Sequence, residues 1–112
     1  VTAETPGPTA FTPAVVGFAP DTFICTATNI NAANRTIRVQ LINGNTGTTL
    51  VENSATGISV GPNLSTAAAI AAASTRAFCK VTVGNGNKTD VRAVLALFAS
   101  GTASDKLVIA AE

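Results

Sequence analysis

The sequence contains no histidine, methionine, tryptophan or tyrosine, and only 12% of its 112 residues are charged. Without histidine the most common general base is missing, and Ser-His-Asp and Cys-His nucleophiles are excluded. Transition-metal sites use clusters of cysteine and histidine, and this chain has two cysteines alone. The six carboxylates are spread along the chain, at Glu4, Asp21, Glu52, Asp90, Asp105 and Glu112. We therefore predict no enzyme, no catalytic residues, no metal site and no cofactor.

The charges that are present also argue against two classes of partner. The seven basic residues are scattered and the formal net charge is +1, whereas nucleic-acid binding usually needs a basic stripe. The long uncharged stretch of residues 53–75 contains Gly57, Gly61 and Pro62, which is not the pattern of a membrane span. Such a low charge content is about half that of ordinary soluble domains. It favours an exported chain that is a homo-oligomer or a polymer of identical subunits.

Alternating apolar and polar residues recur at short spacing, which is typical of a β-sandwich or barrel. Asn and Gly at residues 43–45 and 84–87 indicate tight turns between such runs. Residues 64–73 are ambiguous, because their alanines favour helix while the flanking turns favour a strand. The runs cover residues 21–30, 35–43, 48–52, 57–60, 64–73, 75–83, 90–99 and 106–111. We predict an all-β fold, a single sandwich of about seven or eight strands.

Residues 1–20 differ from the rest of the chain. Pro6, Pro8 and Pro13 fall among threonines and indicate an extended arm rather than a helix or a central strand. Residues 14–19 are a short strand candidate that ends at Pro20. We predict an arm at 1–20, a donor-strand candidate, and a sandwich domain at 21–112. Either the arm's own domain or a neighbouring subunit could hold it.

Cys25 and Cys79 each lie in an alternating stretch, 54 residues apart in the sequence. Two half-buried strands with one cysteine each predict a disulfide that clamps the sandwich. The alternative is a pair of buried free thiols, which pack well as small apolar groups. Disulfides persist in oxidising environments, so we expect an extracellular or cell-surface protein whose signal peptide has been removed.

A cysteine on an early strand, a second about 50 residues later and alternating strands between them resemble an immunoglobulin-like sandwich. Residues 58–65, ISVGPNLS, are similar to the strand–turn–strand corner of bacterial immunoglobulin-like and fibronectin-III-like modules. The chain departs from antibody-type domains, since it lacks the tryptophan and tyrosine of that pattern and has one strand too many after Cys79. A pilin-like sandwich matches the same pattern. The resemblance implies a structural or adhesive role.

Asn34, Asn63 and Asn87 each begin an Asn-X-Ser/Thr sequon at a predicted turn. An acceptor asparagine in an exposed turn is a candidate for glycosylation in a secreted protein. In a chain so rich in Asn, Thr and Ser, one or two sequons also arise by chance. We keep all three as candidate modification sites.

Apolar side chains on the arm and on one strand face suggest assembly contacts. Phe11, Val15 and Phe18 of the arm could fill pockets of a neighbour's sheet. If Val91, Ala93, Leu95 and Leu97 face the core, then Arg92, Val94, Ala96 and Phe98 face outward. Such an apolar outer face marks either a partner surface or a face that the same chain covers.

These patterns favour a structural function. We predict a subunit of an extracellular filament, pilus-like fibre or surface assembly, joined by strand addition through the arm. The alternative is a secreted immunoglobulin-like adhesion module that recognises a glycan or a protein. Deletion of the arm distinguishes the two hypotheses.

Overall fold

The computed structural model describes residues 8–72, 75–98 and 105–111. In these residues the chain forms ten β-strands and one short 3₁₀ turn at Lys88–Asp90. The strands are β1 (Thr9–Phe11), β2 (Val15–Gly17), β3 (Thr22–Asn29), β4 (Arg35–Asn43), β5 (Thr49–Glu52), β6 (Ile58–Val60), β7 (Ser65–Ala71), β8 (Thr75–Val83), β9 (Val91–Phe98) and β10 (Asp105–Ala110). The predicted all-β fold is confirmed. Eight strands fall in the predicted sandwich domain, and the arm adds two short strands that exceed the expected number.

The strands form two antiparallel sheets. Sheet A has six strands, with β8 and β4 paired at its centre. Strands β1 and β2 pair with the free side of β8, and β5 and β6 pair with the free side of β4. Sheet B has four strands in the order β10-β9-β3-β7. The two sheets pack face to face over one core.

The predicted disulfide between Cys25 and Cys79 is confirmed, and it joins the two sheets. Cys25 lies on β3 of sheet B, Cys79 lies on β8 of sheet A, and their Cα atoms are 6.1 Å apart. Both side chains are fully buried. The core around them consists of the inward residues of both sheets, with Phe23, Ile37, Leu41 and Leu95 as the largest and Val39, Val81 and Val83 beside them.

The N-terminal segment is part of sheet A from residue 8 onward. Pro8 accepts a hydrogen bond from the N–H of Val83 at 2.8 Å, β1 pairs with Lys80–Thr82, and β2 pairs with Thr75–Ala77. An edge strand tolerates proline because one row of its N–H groups has no partner. The structure therefore does not confirm a separate extended arm, and residues 1–7 lie outside the described part of the chain.

Residues 64–73, which were ambiguous between strand and helix, form strand β7 over Ser65–Ala71. This strand pairs with β3 from Thr22↔Ala71 to Thr28↔Ser65. The side chains of this segment alternate between the core and solvent, as those of a half-buried strand do. The long pairing with β3 overrides the helix propensity of alanine.

Strand β9 follows the second cysteine strand but pairs with the first one, β3. In an immunoglobulin domain the last strand lies beside the second cysteine strand. In this chain β1 and β2 hold that position on β8. The likeness to immunoglobulin-like or pilin-like sandwiches stays a prediction.

In the described residues no helix has the length and hydropathy needed to cross a membrane.

Candidate assembly surfaces

The N-terminal segment, residues 8–18, inserts alternate side chains between the two sheets. Ala10, Thr12 and Val15 are buried at 5%, 5% and 8% exposure, whereas Phe11 and Phe18 are about half exposed at 48% and 58%. The Thr12 N–H donates to the Cys79 carbonyl at 3.0 Å, and the Cys79 N–H donates to the Thr12 hydroxyl at 2.9 Å. Of the three predicted contacts on this segment, Val15 therefore packs in the chain's own core and the two phenylalanines face outward.

Phe11 belongs to an apolar patch on the outer face of sheet A. Its ring centroid lies 6.3 Å from that of Phe78, and Phe78 stands opposite Ile42 on the next strand. Charges flank the patch, because Lys80 pairs with Phe11 and with Gln40 in the sheet register. The patch is therefore narrow and lies beside a charged surface.

The rest of the outer face of sheet A is charged and cross-linked by polar contacts. Arg38 on β4 contacts Glu52 on β5, with Nη2 and Oε2 2.6 Å apart, and both side chains are partly exposed. Arg76 and Lys80 lie on the same face of β8. This face resembles the outer surface of an ordinary soluble domain.

Among the side chains that the structure describes, the outer face of sheet B has almost no charge. Thr26 on β3 stands between Ala67 on β7 and Val94 on β9, and Ile24 stands between Ala69 and Ala96. The outward side chains that the structure describes are Thr22, Ile24, Thr26, Thr28, Ser65, Ala67, Ala69, Ala71, Arg92, Val94, Ala96, Phe98, Val108 and Ala110. Arg92 is the one charged residue in that set. This alternation places the predicted contacts Val94 and Phe98 on the outer face, where both are half-buried.

One end of the sandwich is stabilised by asparagine and aspartate. The Asp90 carboxylate accepts hydrogen bonds from Arg35 Nε at 2.9 Å, from Asn31 Nδ2 at 2.9 Å and from the Asn87 N–H at 3.0 Å. The Asn87 N–H first, and then Arg35 and Asn31, lower the pKa of Asp90 below its ordinary value. These donors join the β3–β4 loop to the β8–β9 loop, so the carboxylate has a structural partner on every side.

Asn29, at the end of β3, is fully buried, and its side chain joins the β3–β4 loop to the end of β6. Its amide donates to the carbonyls of Ala33 and Val60 at 2.9 and 2.8 Å, and its oxygen accepts from the Asn31 N–H at 2.8 Å. Among the residues that the structure describes, no group of three His, Cys, Asp or Glu side chains could hold a metal ion.

The three sequon asparagines, Asn34, Asn63 and Asn87, are all exposed and lie outside the strands. Asn63 has a φ of 62°, a left-handed conformation that asparagine adopts more readily than most residues. Their placement agrees with the turns predicted from the sequence, and glycosylation stays a prediction.

A cavity of about 320 Å³ opens between the sheets at the β1 and β9 side. The cationic residues Lys88 and Arg92 line it together with Thr89 and the apolar Ala10 and Val91. Such a mixed lining is compatible with a small polar or acidic group. The sequence predicted none of these cavity contacts except the outward position of Arg92.

Two further features were not predicted from the sequence. The Thr12 hydroxyl replaces a backbone partner for Cys79, and the Asn53 side chain bonds to both β4 and β7. An asparagine just after a short strand is a weak signal of such a role, since asparagine commonly bonds to backbone groups near strand ends.

No protein-family model, curated protein or solved structure matches this chain. Functional conclusions therefore depend on its own residues and surfaces.

Proposed function

We propose that the protein is a structural subunit of an extracellular filament, pilus-like fibre or surface assembly. Its subunits are joined by strand addition, in which the N-terminal segment of one copy occupies the β8 edge of the next. The observation that carries this proposal is the way residues 9–17 add to that edge as two short strands within one chain.

The contacts that hold the segment are of the kind that strand addition uses. Backbone pairing along β8 supplies affinity, and alternate side chains, Ala10 and Val15, enter the space between the sheets. Exchange between copies changes which chain makes these contacts and leaves the contacts themselves the same. An exchanged segment therefore costs little beyond the opening of its connection to β3.

That connection is a short turn at residues 18–21. The Asp21 N–H donates to the Phe18 carbonyl at 3.0 Å, and the exposed Phe18 ring precedes Pro20. If this turn opens, residues 8–18 separate from the sandwich as one piece. Head-to-tail exchange of such a piece need not close into a ring, so it generates filaments.

The disulfide supports the extracellular part of the proposal. Cys79 sits at the middle of β8, the strand that receives the segment, and is covalently tied to β3. A strand held in this way keeps its position when its edge partner leaves. Disulfides of this kind persist outside the reducing cytosol.

A register-specific cross-link tests the exchange. Thr9 and Thr82 are directly paired, so the double variant Thr9→Cys/Thr82→Cys forms a disulfide wherever the segment meets β8. We expect non-reducing gels to show ladders of linked subunits, and negative-stain electron microscopy of the unmodified chain to show fibres. The matched control is Thr9→Ser/Thr82→Ser. Cross-links confined within single chains, together with a stable monomer at high concentration, would overturn the proposal.

The cavity near β9 favours a second candidate function, a secreted adhesion module. Lys88 and Arg92, which are among its lining residues, provide cations for an acidic glycan or a carboxylate of a protein ligand. An array of acidic and neutral glycans, probed with the unmodified chain and with Arg92→Ala, tests this role. Binding that Arg92→Ala removes, by a full chain that stays monomeric at high concentration, would favour adhesion over assembly.

A further inference from the structure

The two sheets differ in how their edges are protected. Natural sheets blunt an exposed edge with prolines, charges, very short strands or breaks, because an unpaired edge recruits other chains. The N-terminal edge of sheet A is split into β1 and β2, with Pro13 between them. Its other edge is divided into two short strands, of which β5 carries Glu52. The sequence of β10, the edge strand of sheet B beside β9, begins with the charged residues Asp105 and Lys106.

Strand β7, the remaining edge, has none of these devices. It is seven residues long, reads Ser-Thr-Ala-Ala-Ala-Ile-Ala and contains no charge and no proline. In the described part of the chain it pairs with β3 on one side and with no strand on the other. Because the other three edges are protected by a proline, by charges or by short strands, β7 is the edge that remains open to pairing.

The backbone hydrogen bonds show which groups of β7 are open. The Leu64 carbonyl accepts from Asn29 at 2.9 Å and the Ala72 N–H donates to Asp21 at 2.8 Å, so even-numbered residues face β3. In an antiparallel strand each residue directs its N–H and its C=O to the same side, and this side alternates from one residue to the next. The odd-numbered residues therefore direct N–H and C=O to the open edge, and their small side chains are exposed, namely Ser65, Ala67, Ala69 and Ala71.

Contacts other than strand pairing also hold β7 in its extended form. Thr66 Oγ1 accepts a hydrogen bond from Asn53 Nδ2 at 3.0 Å, which ties β7 to the end of β5 in the other sheet. Ala68 is buried in the core, and Ile70 packs against it. A pre-ordered edge loses little conformational entropy when a partner strand binds.

We propose that β7 pairs with β7 of a second copy, antiparallel and about a two-fold axis beside Ala68. In this register Ser65 stands opposite Ala71 and Ala67 opposite Ala69, so about eight backbone hydrogen bonds form between residues that face each other. The pairing brings no charges together, and it joins two four-stranded sheets into one continuous sheet.

The partner strand that best fits the open edge of β7 is β7 of a second copy of this chain. The other edges of a neighbouring copy carry a proline break, short strands or charges, so β7 is the edge that can meet β7 without them. A two-fold contact uses the same patch on both subunits, which a neutral strand of small residues satisfies. This dimer does not depend on exchange of the N-terminal segment, since it uses the other sheet.

The dimer is expected to be weak. One pair of seven-residue strands buries less surface than the roughly 1,200 Å² of stable complexes, so it should dissociate on dilution. An assembly in which a second junction supplies avidity would compensate for this weakness.

Analytical ultracentrifugation of the full chain over a concentration series tests the pairing. Ala67→Pro removes an outward N–H and leaves the bonds to β3 in place, since Ala67 faces the open edge. We expect it to raise the dimer dissociation constant about tenfold or more. The matched control is Thr26→Lys, which places a charge at the centre of the outer face and leaves the β7 edge intact. It should leave the dissociation constant within about threefold of that of the unmodified chain.

If Ala67→Pro fails to fold, Ala69→Lys replaces it, because it keeps every backbone group and adds two charges to the dimer near the two-fold axis.

Amide hydrogen exchange gives an independent signature. At high concentration the amides of Ser65, Ala67, Ala69 and Ala71 should become protected, whereas those of Thr66, Ala68 and Ile70 are protected at all concentrations. A chain that stays monomeric at the highest concentration overturns the proposal. So does a dimer that Thr26→Lys abolishes and Ala67→Pro leaves unchanged, because that pattern means contact between faces. Linked ladders in the Thr9→Cys/Thr82→Cys experiment with no protection of β7 would leave the proposed function standing and refute this dimer.

Discussion

Sheet A and sheet B pack on one core but have different outer faces. Sheet A carries the Arg38–Glu52 ion pair, Arg76 and Lys80 on its outer face, and its edges are short or interrupted. Sheet B carries Arg92 alone among its described outward side chains and ends in the uncharged strand β7. One layer therefore has the surface of a soluble domain, and the other has a surface that a partner would stabilise.

The comparison extends to the interior, where several contacts tie the sheets together. Three that can be tested separately are the Cys25–Cys79 disulfide, the packing of Gly17 against Phe23, and the hydrogen bonds of Asn53 to β4 and β7. If sheet B depends on sheet A for its position, then breaking each of these contacts should lower the free energy of unfolding. The loss should be largest for the covalent bond and smaller for the packing contact and the hydrogen bonds.

The largest effect is expected from the covalent link. The double variant Cys25→Ala/Cys79→Ala releases a loop with a sequence separation of 54 residues, and we expect a loss of about 4 kcal/mol in the free energy of unfolding. Urea denaturation followed by circular dichroism measures this loss. The unmodified chain under reducing conditions is the control and should show a similar loss. Equal stability of the oxidised chain and the double variant would contradict the role of the disulfide as the main link.

A smaller loss is expected from Gly17→Ala, which crowds the contact between β2 and sheet B. A Cβ atom at this position would lie 2.5 Å from Phe23 Cζ and 3.0 Å from Ala72 Cβ. Overpacking of this kind costs about 1–3 kcal/mol. Gly84→Ala is the matched control, because its nearest neighbours would lie at an ordinary 3.6 Å or more. Thermal unfolding of both variants checks the difference, and equal melting temperatures would show that the N-terminal segment is not tightly packed on sheet B.

Asn53→Ala removes one of the polar links between the sheets. Its side chain accepts from the Val39 N–H at 2.9 Å and donates to the Ile37 carbonyl and the Thr66 hydroxyl, both at 3.0 Å. Partly buried backbone groups left without partners cost about 1–3 kcal/mol in the free energy of unfolding. Asn45→Ala in the exposed β4–β5 hairpin is the control and should be near neutral. Amide exchange should also show β7 opening before β3 in the Asn53 variant, and unchanged protection of β7 would argue against the link.

The smallest effect concerns the loop end, where Asp90 joins loops that flank both sheets. Its folded-state pKa is lowered from an ordinary value of 3.8, so its stabilising contribution is present above that pH and is lost as pH falls through the lower folded-state pKa. The melting temperature of the unmodified chain should therefore fall more steeply with acidification than that of Asp90→Asn. Differential scanning calorimetry between about pH 2 and pH 6 covers this window. Parallel curves for the two proteins would show that Asp90 makes no pH-dependent contribution.

Much of the fold could be predicted because its signals are local. The runs at residues 35–43 and 75–83 coincide with β4 and β8, and the expected inward positions of Val91, Ala93 and Leu95 are buried. Alternation with a period of two residues states which face is buried, since successive side chains point to opposite faces. Because the chain has only two cysteines, one on each of two such strands, the disulfide prediction had a single possible pairing.

The candidate surfaces were harder to predict because they depend on strand order. The sequence singled out Phe11, Phe18, Val94 and Phe98 as candidate apolar assembly contacts, and the structure places all four at exposed or half-buried positions. The sequence could not show that Val15 differs from these four and packs in the chain's own core. The same alternation of buried and exposed residues is expected whether the segment pairs with its own sheet or with a neighbour's. The openness of β7 had no local signal, because its composition alone fits an edge, a central strand or a helix.

By itself the sequence determined that this chain is a two-sided β structure with little charge, a cysteine on each of two strands and no histidine for acid–base chemistry. Those properties follow from composition and from a two-residue period, and both are readable along the chain. Only the tertiary structure decided that residues 9–17 close the β8 edge and that, within the described residues, β7 has β3 as its single strand neighbour. Sheet neighbours are chosen by contacts between residues distant in sequence, such as the pairing of Thr9 with Thr82, and these depend on how the whole core packs.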